Sequence, residues 1–209
     1  MHMVFLGVVK KMLKSYLTYG YPCSLSRKNQ ALLDNKFKQI KRLPQEFARQ
    51  QRSLQYVERF KATEYRTFIL YTGPVIIKGI LKADHYKHFL FLTIAMSVLF
   101  EDAEFRNENL DFALENLLCF VKYAPIIFGI TFMTYNTHSL ILVDDVERFG
   151  CSLNEISAFF YENHLRKLKP CIRKGNNPIA QLVKKIKGLE NSNLDQRPFK
   201  KEMKIGQQQ

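Results

Sequence analysis

Apolar residues recur along this chain at steps of three and four, the spacing of one helix face. Val4, Phe5, Val8, Val9, Met12 and Leu13 form the first stripe, with Lys10, Lys11 and Lys14 on the other side. They predict a helix over 3–17, ended by Gly20 and Pro22. Ser24 or Ser26 can cap a second helix that runs to about Ile40 and carries Leu32, Leu33, Phe37 and Ile40 on one face, before Leu43-Pro44 breaks it. A short helix near 53–59 and a longer one near 61–82 follow, the latter kinked or broken at Gly73-Pro74. Asp84 starts a helix to Phe100. The cleanest amphipath spans 107–123, with Leu110, Ala113, Leu114, Leu117, Leu118 and Val121 in step. Pro125 and Gly129 bracket the next element, and a helix over 136–149 stops at Gly150. Ser152 and Glu155 make a capping box for a helix that carries Glu162. A loop at 175–178 leads to a last helix over 179–189.

Runs that alternate apolar and polar residues are missing, as are Asn-Gly hairpin signals. The fold class is therefore all-α or nearly so: one multi-helix array over 1–190 and a polar, disordered tail over 191–209. The longest apolar runs, Phe89–Phe100 and Ala124–Tyr135, fall well short of the ~20 residues of a membrane span and read as buried helices. No membrane partner is expected. The apolar start is interrupted by lysines too early to read as a secretory leader.

Charge adds a partner to this picture. The net charge is +13. Residues 1–42 hold 9 basic against 1 acidic residue and residues 43–82 hold 7 against 3, whereas 83–163 hold 4 against 12 and 164–209 hold 12 against 3. Two basic ends flank an acidic middle, which points to a polyanion such as DNA, with an anionic membrane surface as the rival. Cys23, Cys119, Cys151 and Cys171 are too few and too scattered for a disulfide scaffold or a zinc site. They read as reduced, partly buried thiols of an intracellular protein.

Several blocks carry a resemblance. "MHMVFLGVVKKML", "LPQEFARQQRSL", "ERFKATEYRTFILYTGPVIIKGIL", "YNTHSLILVDDVERFG" and "SAFFYENHLRKLKPCIRKGNNPIAQLV" occur in that order over roughly 1–188. The ordered set resembles the C-terminal portion of CACTA (EnSpm)-like transposases and transposase-derived proteins of animal genomes. That resemblance implies an RNase H-like enzyme whose three carboxylates hold Mg2+, with a helical insert before the third. It implies that Glu162 is the third acid, and that His2 follows the place of the second. The first two acids and their strands have no counterpart in this sequence, so the chain is expected to be the helical insert and last catalytic helix without the catalytic sheet. Catalysis by the chain alone is not expected, and neither is a cofactor or metal of its own.

Each candidate residue has a plainer reading beside the functional one. Glu162 serves either as a metal-binding acid or as an ion-pair partner of Arg166 at i,i+4. Lys10, Lys11, Lys14, Arg27, Lys28, Lys38, Lys41 and Arg42, with Lys36, have almost no acidic partner nearby in sequence and suit DNA phosphates. Arg49, Arg52, Arg59 and Arg66 suit phosphates as well, or else pair with Glu58 and Glu64. Helical spacing places Arg59 and Arg66 near one face. Asn136 and His138 read as a buried hydrogen-bonded pair. His85 and His88 read as solvated surface, since their spacing suits a metal but no third ligand is evident. The preferred reading is a nuclear, DNA-associated, transposon-derived fragment. A domesticated protein-interaction module that self-associates through an exposed apolar face is the alternative, and an active metal-dependent nuclease or transposase comes third.

Overall fold

The computed structural model describes residues 2–40, 43–44, 47, 50–141, 143–155, 164–165, 168–173 and 175–191. The chain divides into two compact units, Met1–Ser157 and Ala158–Gln209. Among the described residues every regular element is helical.

The first unit opens with a π-wound turn, Met3–Val9, that continues into α1 (Lys10–Leu17). The apolar stripe goes inside: Val4, Phe5, Val8, Val9, Met12, Leu13 and Tyr16 are buried. Ser26 caps α2 (Arg27–Gln39), its side chain accepting from the Asn29 N–H. A 3-10 segment, Leu54–Arg59, is pinned to α2 by Asp34, whose Oδ1 accepts from Ser53 Oγ at 2.7 Å and the Leu54 N–H at 2.8 Å.

Gly73-Pro74 does not break the next helix. Helix α3 (Ala62–Thr67) runs through a π turn, Phe68–Thr72, into α4 (Gly73–Ile76). Proline cannot donate to the helical ladder, and the wider turn absorbs the defect, with the Gly73 N–H reaching Phe68 O. Glycine is required there: a Cβ would lie 2.5 Å from Phe68 O and 2.7 Å from the Phe89 ring.

Helix α5 (Ala83–Phe100) packs along α7 (Leu110–Phe128). His88, early in α5, meets Phe120 and Phe128, late in α7, so the two run antiparallel. The predicted helix over 107–123 is cut at Asn109, which separates α6 (Ala103–Glu108) from α7. Pro125 lies inside α7 rather than at its boundary, because Ala124, Ile127 and Phe128 are all buried and burial outweighs the one hydrogen bond proline cannot donate. Gly129, at φ +87°, ends the helix. The helix expected over 136–149 is two: α8 (Tyr135–His138) and α9 (Val143–Phe149), the latter stopped by Gly150 at φ +61°.

Phenylalanine builds the core. Phe68 contacts both Phe37 and Phe89, Phe5 stacks on Phe100, and Phe128 stacks on Phe132. A buried arginine, Arg106, ties two helix ends together. Its guanidinium donates to the Glu101 carbonyl, just past α5, at 3.2 Å, and to the Gly150 carbonyl, just past α9, at 3.4 Å. Both are carbonyl-rich helix C-termini, where a cation is favoured. The Ser152–Glu155 capping box forms, with the Ser152 N–H donating to Glu155 Oε2 at 2.6 Å.

The second unit contains a 3-10 turn, Lys169–Cys171, and α10 (Pro178–Asn191). Gln181 closes the loop between them, accepting from the Arg173 N–H at 2.9 Å and donating to Asn176 O at 2.6 Å. Helix α10 exposes Ile179, Val183 and Ile186 beside Lys184, Lys185 and Lys187. No described helix is long and apolar enough to cross a membrane.

Candidate nucleic-acid interface

The outward face of α1 is the most concentrated basic feature of the first unit. Because Met12, Leu13 and Tyr16 point inward, Lys10, Lys11 and Lys14 are forced toward the surface. They line a groove of about 420 Å3 with Leu6, Thr18 and Tyr21. Lys10 and Lys14 are one turn apart and share one acid, Glu58 of the 3-10 segment. Lys14 Nζ lies 2.5 Å from Glu58 Oε1, and Lys10 Nζ lies 3.4 Å from Oε2 and donates to the Glu58 carbonyl at 3.2 Å. The Lys14 ammonium, first of all, holds the Glu58 carboxyl below its usual range. Lys11 turns the other way, onto Thr131 O at 2.5 Å and over the Phe132 ring, and partial burial lowers its pKa.

Other expected cations divide sharply. Arg27 and Lys28 are exposed in the first turn of α2, a turn that holds no acid. Lys38 pairs with Asp34 at 2.7 Å, and Lys36 donates to Lys78 O at 3.3 Å. Arg59 is exposed.

Arg52 is not a free phosphate contact. Its Nε and Nη2 each donate at 2.7 Å to the carboxylate of Glu64, which is buried, and Nη2 also donates to Arg59 O at 2.6 Å. Glu64 also accepts from the Lys61 N–H at 2.8 Å, so the pair caps α3 as well as neutralising itself. Arg66 is likewise committed: its guanidinium lies over the Phe100 ring, 4.7 Å from the centroid, and burial lowers its pKa. Arg59 and Arg66 do not share a helix face, since the extended Phe60 and Lys61 separate their helices.

The expected Asn136–His138 pair also needs correction. Helix α8 is a single turn, and its inward residue is Thr137, which donates to Phe132 O at 2.9 Å; His138 is exposed. Asn136 instead lies against Gly7, where a Cβ would sit 2.6 Å from its amide nitrogen. Two sequence blocks far apart in the chain thus meet at a glycine. His88 is not surface either. It is buried, Nε2 lies 2.8 Å from Phe120 O, its ring stacks on Phe120, and burial pushes its pKa down to about 4.

Lys41, Arg42, Arg49, Glu162 and Arg166 lie outside the described residues. Among the described residues no three His, Cys, Asp or Glu side chains converge as metal ligands. Of the cysteines, Cys23 is buried, its thiol pushed up to about 12 by desolvation, and the other three are half-buried. Glu58 as the shared partner of two lysines was hidden from sequence reasoning, because the contact spans 44 residues to Lys14. The aromatic turn Tyr19-Gly20-Tyr21 reads in sequence only as a helix stop. Comparison with protein-family models, with curated proteins and with solved structures finds no match to this chain.

Proposed function

We propose that this chain is a transposon-derived helical segment, related to CACTA-like transposases, that associates with DNA in the nucleus and does not catalyse strand cleavage by itself. The observation that carries the DNA reading is the surplus of surface cations on this unit: Lys10 and Lys14 of the α1 groove share a single acid, Glu58, and Arg27, Lys28 and Arg59 are exposed. Surface cations in excess of the acids beside them supply non-specific DNA affinity. The relation to transposases rests on the ordered sequence blocks. In the complete family enzyme Mg2+ would be held by three acids, and Glu162 is the one with a counterpart here.

The test is duplex DNA binding by the purified chain across salt. Affinity should fall steeply between about 50 and 200 mM salt. Binding that is absent at low salt would end the DNA reading. Incubation of supercoiled plasmid with Mg2+ or Mn2+ should give no nicking, and cleavage lost in Glu162→Gln would reverse the catalytic part of the proposal.

A second reading draws on another surface. Phe105, Phe112, Leu118, Ile126 and Ile130 are exposed along α6, α7 and the turn beyond. Large apolar side chains left exposed in this number suit protein association. Sedimentation showing concentration-dependent self-association, abolished by Phe112→Ser, would favour an interaction module.

A further inference from the structure

Two of the lysines that line the α1 groove, Lys10 and Lys14, hold a carboxylate where a phosphate would fit. Glu58 presents one oxygen to Lys14 and the other to Lys10, bridging two ammonium groups on successive turns. A phosphodiester offers two non-bridging oxygens that share one negative charge in a similar forked arrangement. Glu58 is 58% exposed, so water reaches the pair and the carboxylate is held weakly. An aromatic residue joins the lysines in the same groove. Tyr21 lines it, and Tyr19, two residues before, is 98% exposed in the turn that ends α1. A tyrosine lining one groove with paired lysines, as Tyr21 does, is the arrangement of single-strand binding surfaces, in which cations track the backbone and rings stack bases.

We infer that the α1 groove binds single-stranded nucleic acid: Lys10 and Lys14 take one phosphodiester in place of Glu58, and Tyr21 and Tyr19 stack the adjacent bases. The inference rests on the DNA-association reading and narrows it. Duplex DNA keeps its bases stacked inside and offers the tyrosines nothing. Glu58 acts as an internal competitor, so its removal strengthens binding although it breaks two ion pairs. Lys11 takes no part, being held by Thr131 O and Phe132.

The test measures fluorescence anisotropy of a labelled oligo-dT, an abasic strand of equal length and a duplex, each against the full chain. Oligo-dT should bind roughly fivefold or more tightly than the abasic strand, which keeps the phosphates and lacks the rings. Tyr19→Ala with Tyr21→Leu should erase that difference. Glu58→Gln should tighten oligo-dT binding about fivefold at low salt, and Lys14→Ala should lower the salt slope by about 1. Circular dichroism should be unchanged in both of these surface variants. Equal binding of oligo-dT and abasic strand, duplex preferred over oligo-dT, or Glu58→Gln failing to tighten binding would each overturn the inference while leaving DNA association standing. No binding of any of the three would end both. If Lys14→Ala and Glu58→Gln change binding to vesicles containing phosphatidylserine and leave oligo-dT unaffected, the groove faces lipid and the inference is overturned.

Discussion

Replacing His88 should flatten a specific part of the acid dependence of stability. The imidazole is 2% exposed and stacks on Phe120 at 4.4 Å between centroids, with Phe128 at 5.4 Å. Phe120 O can only accept, so Nε2 carries the proton of the neutral ring. Nδ1 is buried with no partner. Protonation would therefore place a charge and an unsatisfied N–H in an aromatic core, next to His85 on the preceding turn. Burial, the largest cause, pushes the folded-state pKa down to about 4, and His85 adds to it, while the Phe120 carbonyl opposes. Unfolded, the group titrates near 6.5. Above pH ~6.5 both states are neutral and the group has no effect on the balance. Below it the unfolded chain takes up a proton that the folded chain refuses, so stability falls until pH ~4, where the folded state also protonates. A gap of about 2.5 pH units corresponds to roughly 3 kcal/mol, with close to half of it lost by pH 5.5. Urea unfolding of wild type, His88→Gln and His88→Phe between pH 7.5 and 4.5 measures this. Wild type should be more stable than either variant at pH 7.5, and that advantage should shrink by roughly 3 kcal/mol toward pH 4. Carboxylates such as Glu58 and Glu155, whose folded pKa values are depressed, lose their contribution only at lower pH and do so in all three proteins. An advantage that stays constant with pH would refute the reasoning.

Three further outcomes are expected. Glu64→Ala leaves Arg52 without its carboxylate and the start of α3 uncapped, and should cost about 3 kcal/mol, whereas Arg52→Met with Glu64→Leu should recover much of it; a double variant as unstable as the single one, in urea unfolding, would contradict the pair's role. Gly7→Ala should cost roughly 1–3 kcal/mol through its clash with Asn136, and adding Asn136→Ala should restore most of the loss in melting temperature. Arg106→Met should destabilise by about 2–4 kcal/mol, because two helix-end carbonyls lose their donor; a change within ±0.5 kcal/mol would show that water replaces the guanidinium.

Periodicity was enough to find the helices because each must bury a stripe. The stripe of 3–17 and the cap at Ser26 are local facts, and they hold in the fold. Breakers were harder to read. Gly73-Pro74 and Pro125 each remove one ladder bond, and whether a helix then breaks, widens or continues depends on the residues packed around it. Phe89 against Gly73, and the buried faces of Ala124 and Phe128, decide those cases, and none is local in sequence. The candidate cations were legible as a surplus but not as individuals. Arg52 and Arg66 look like Arg59 in the sequence, yet one is clamped by a buried carboxylate, one lies on a phenylalanine ring, and one is exposed.

The fate of each cation follows from local stoichiometry rather than from the total charge. Among the described acids of residues 2–82, each is taken by a cation: Asp34 by Lys38, Glu58 by Lys10 and Lys14, and Glu64 by Arg52. These acids are not equivalent. Glu64 is 1% exposed, and removing a ligand from a buried charge costs far more than any surface phosphate contact returns, so Arg52 stays where it is. Glu58 is 58% exposed and already shared, so exchanging its carboxylate for another anion costs little. The acids beyond position 100 do not alter this. Glu101, Asp102, Glu104, Glu108, Asp111 and Glu115 are exposed, and the ion pairs among the described residues do not draw on them. A net charge of +13 therefore understates how basic one surface is and overstates another. Whether a lysine is free to meet a polyanion is settled by the burial of its nearest carboxylate, and by that measure α1 is the place where partner exchange is cheapest.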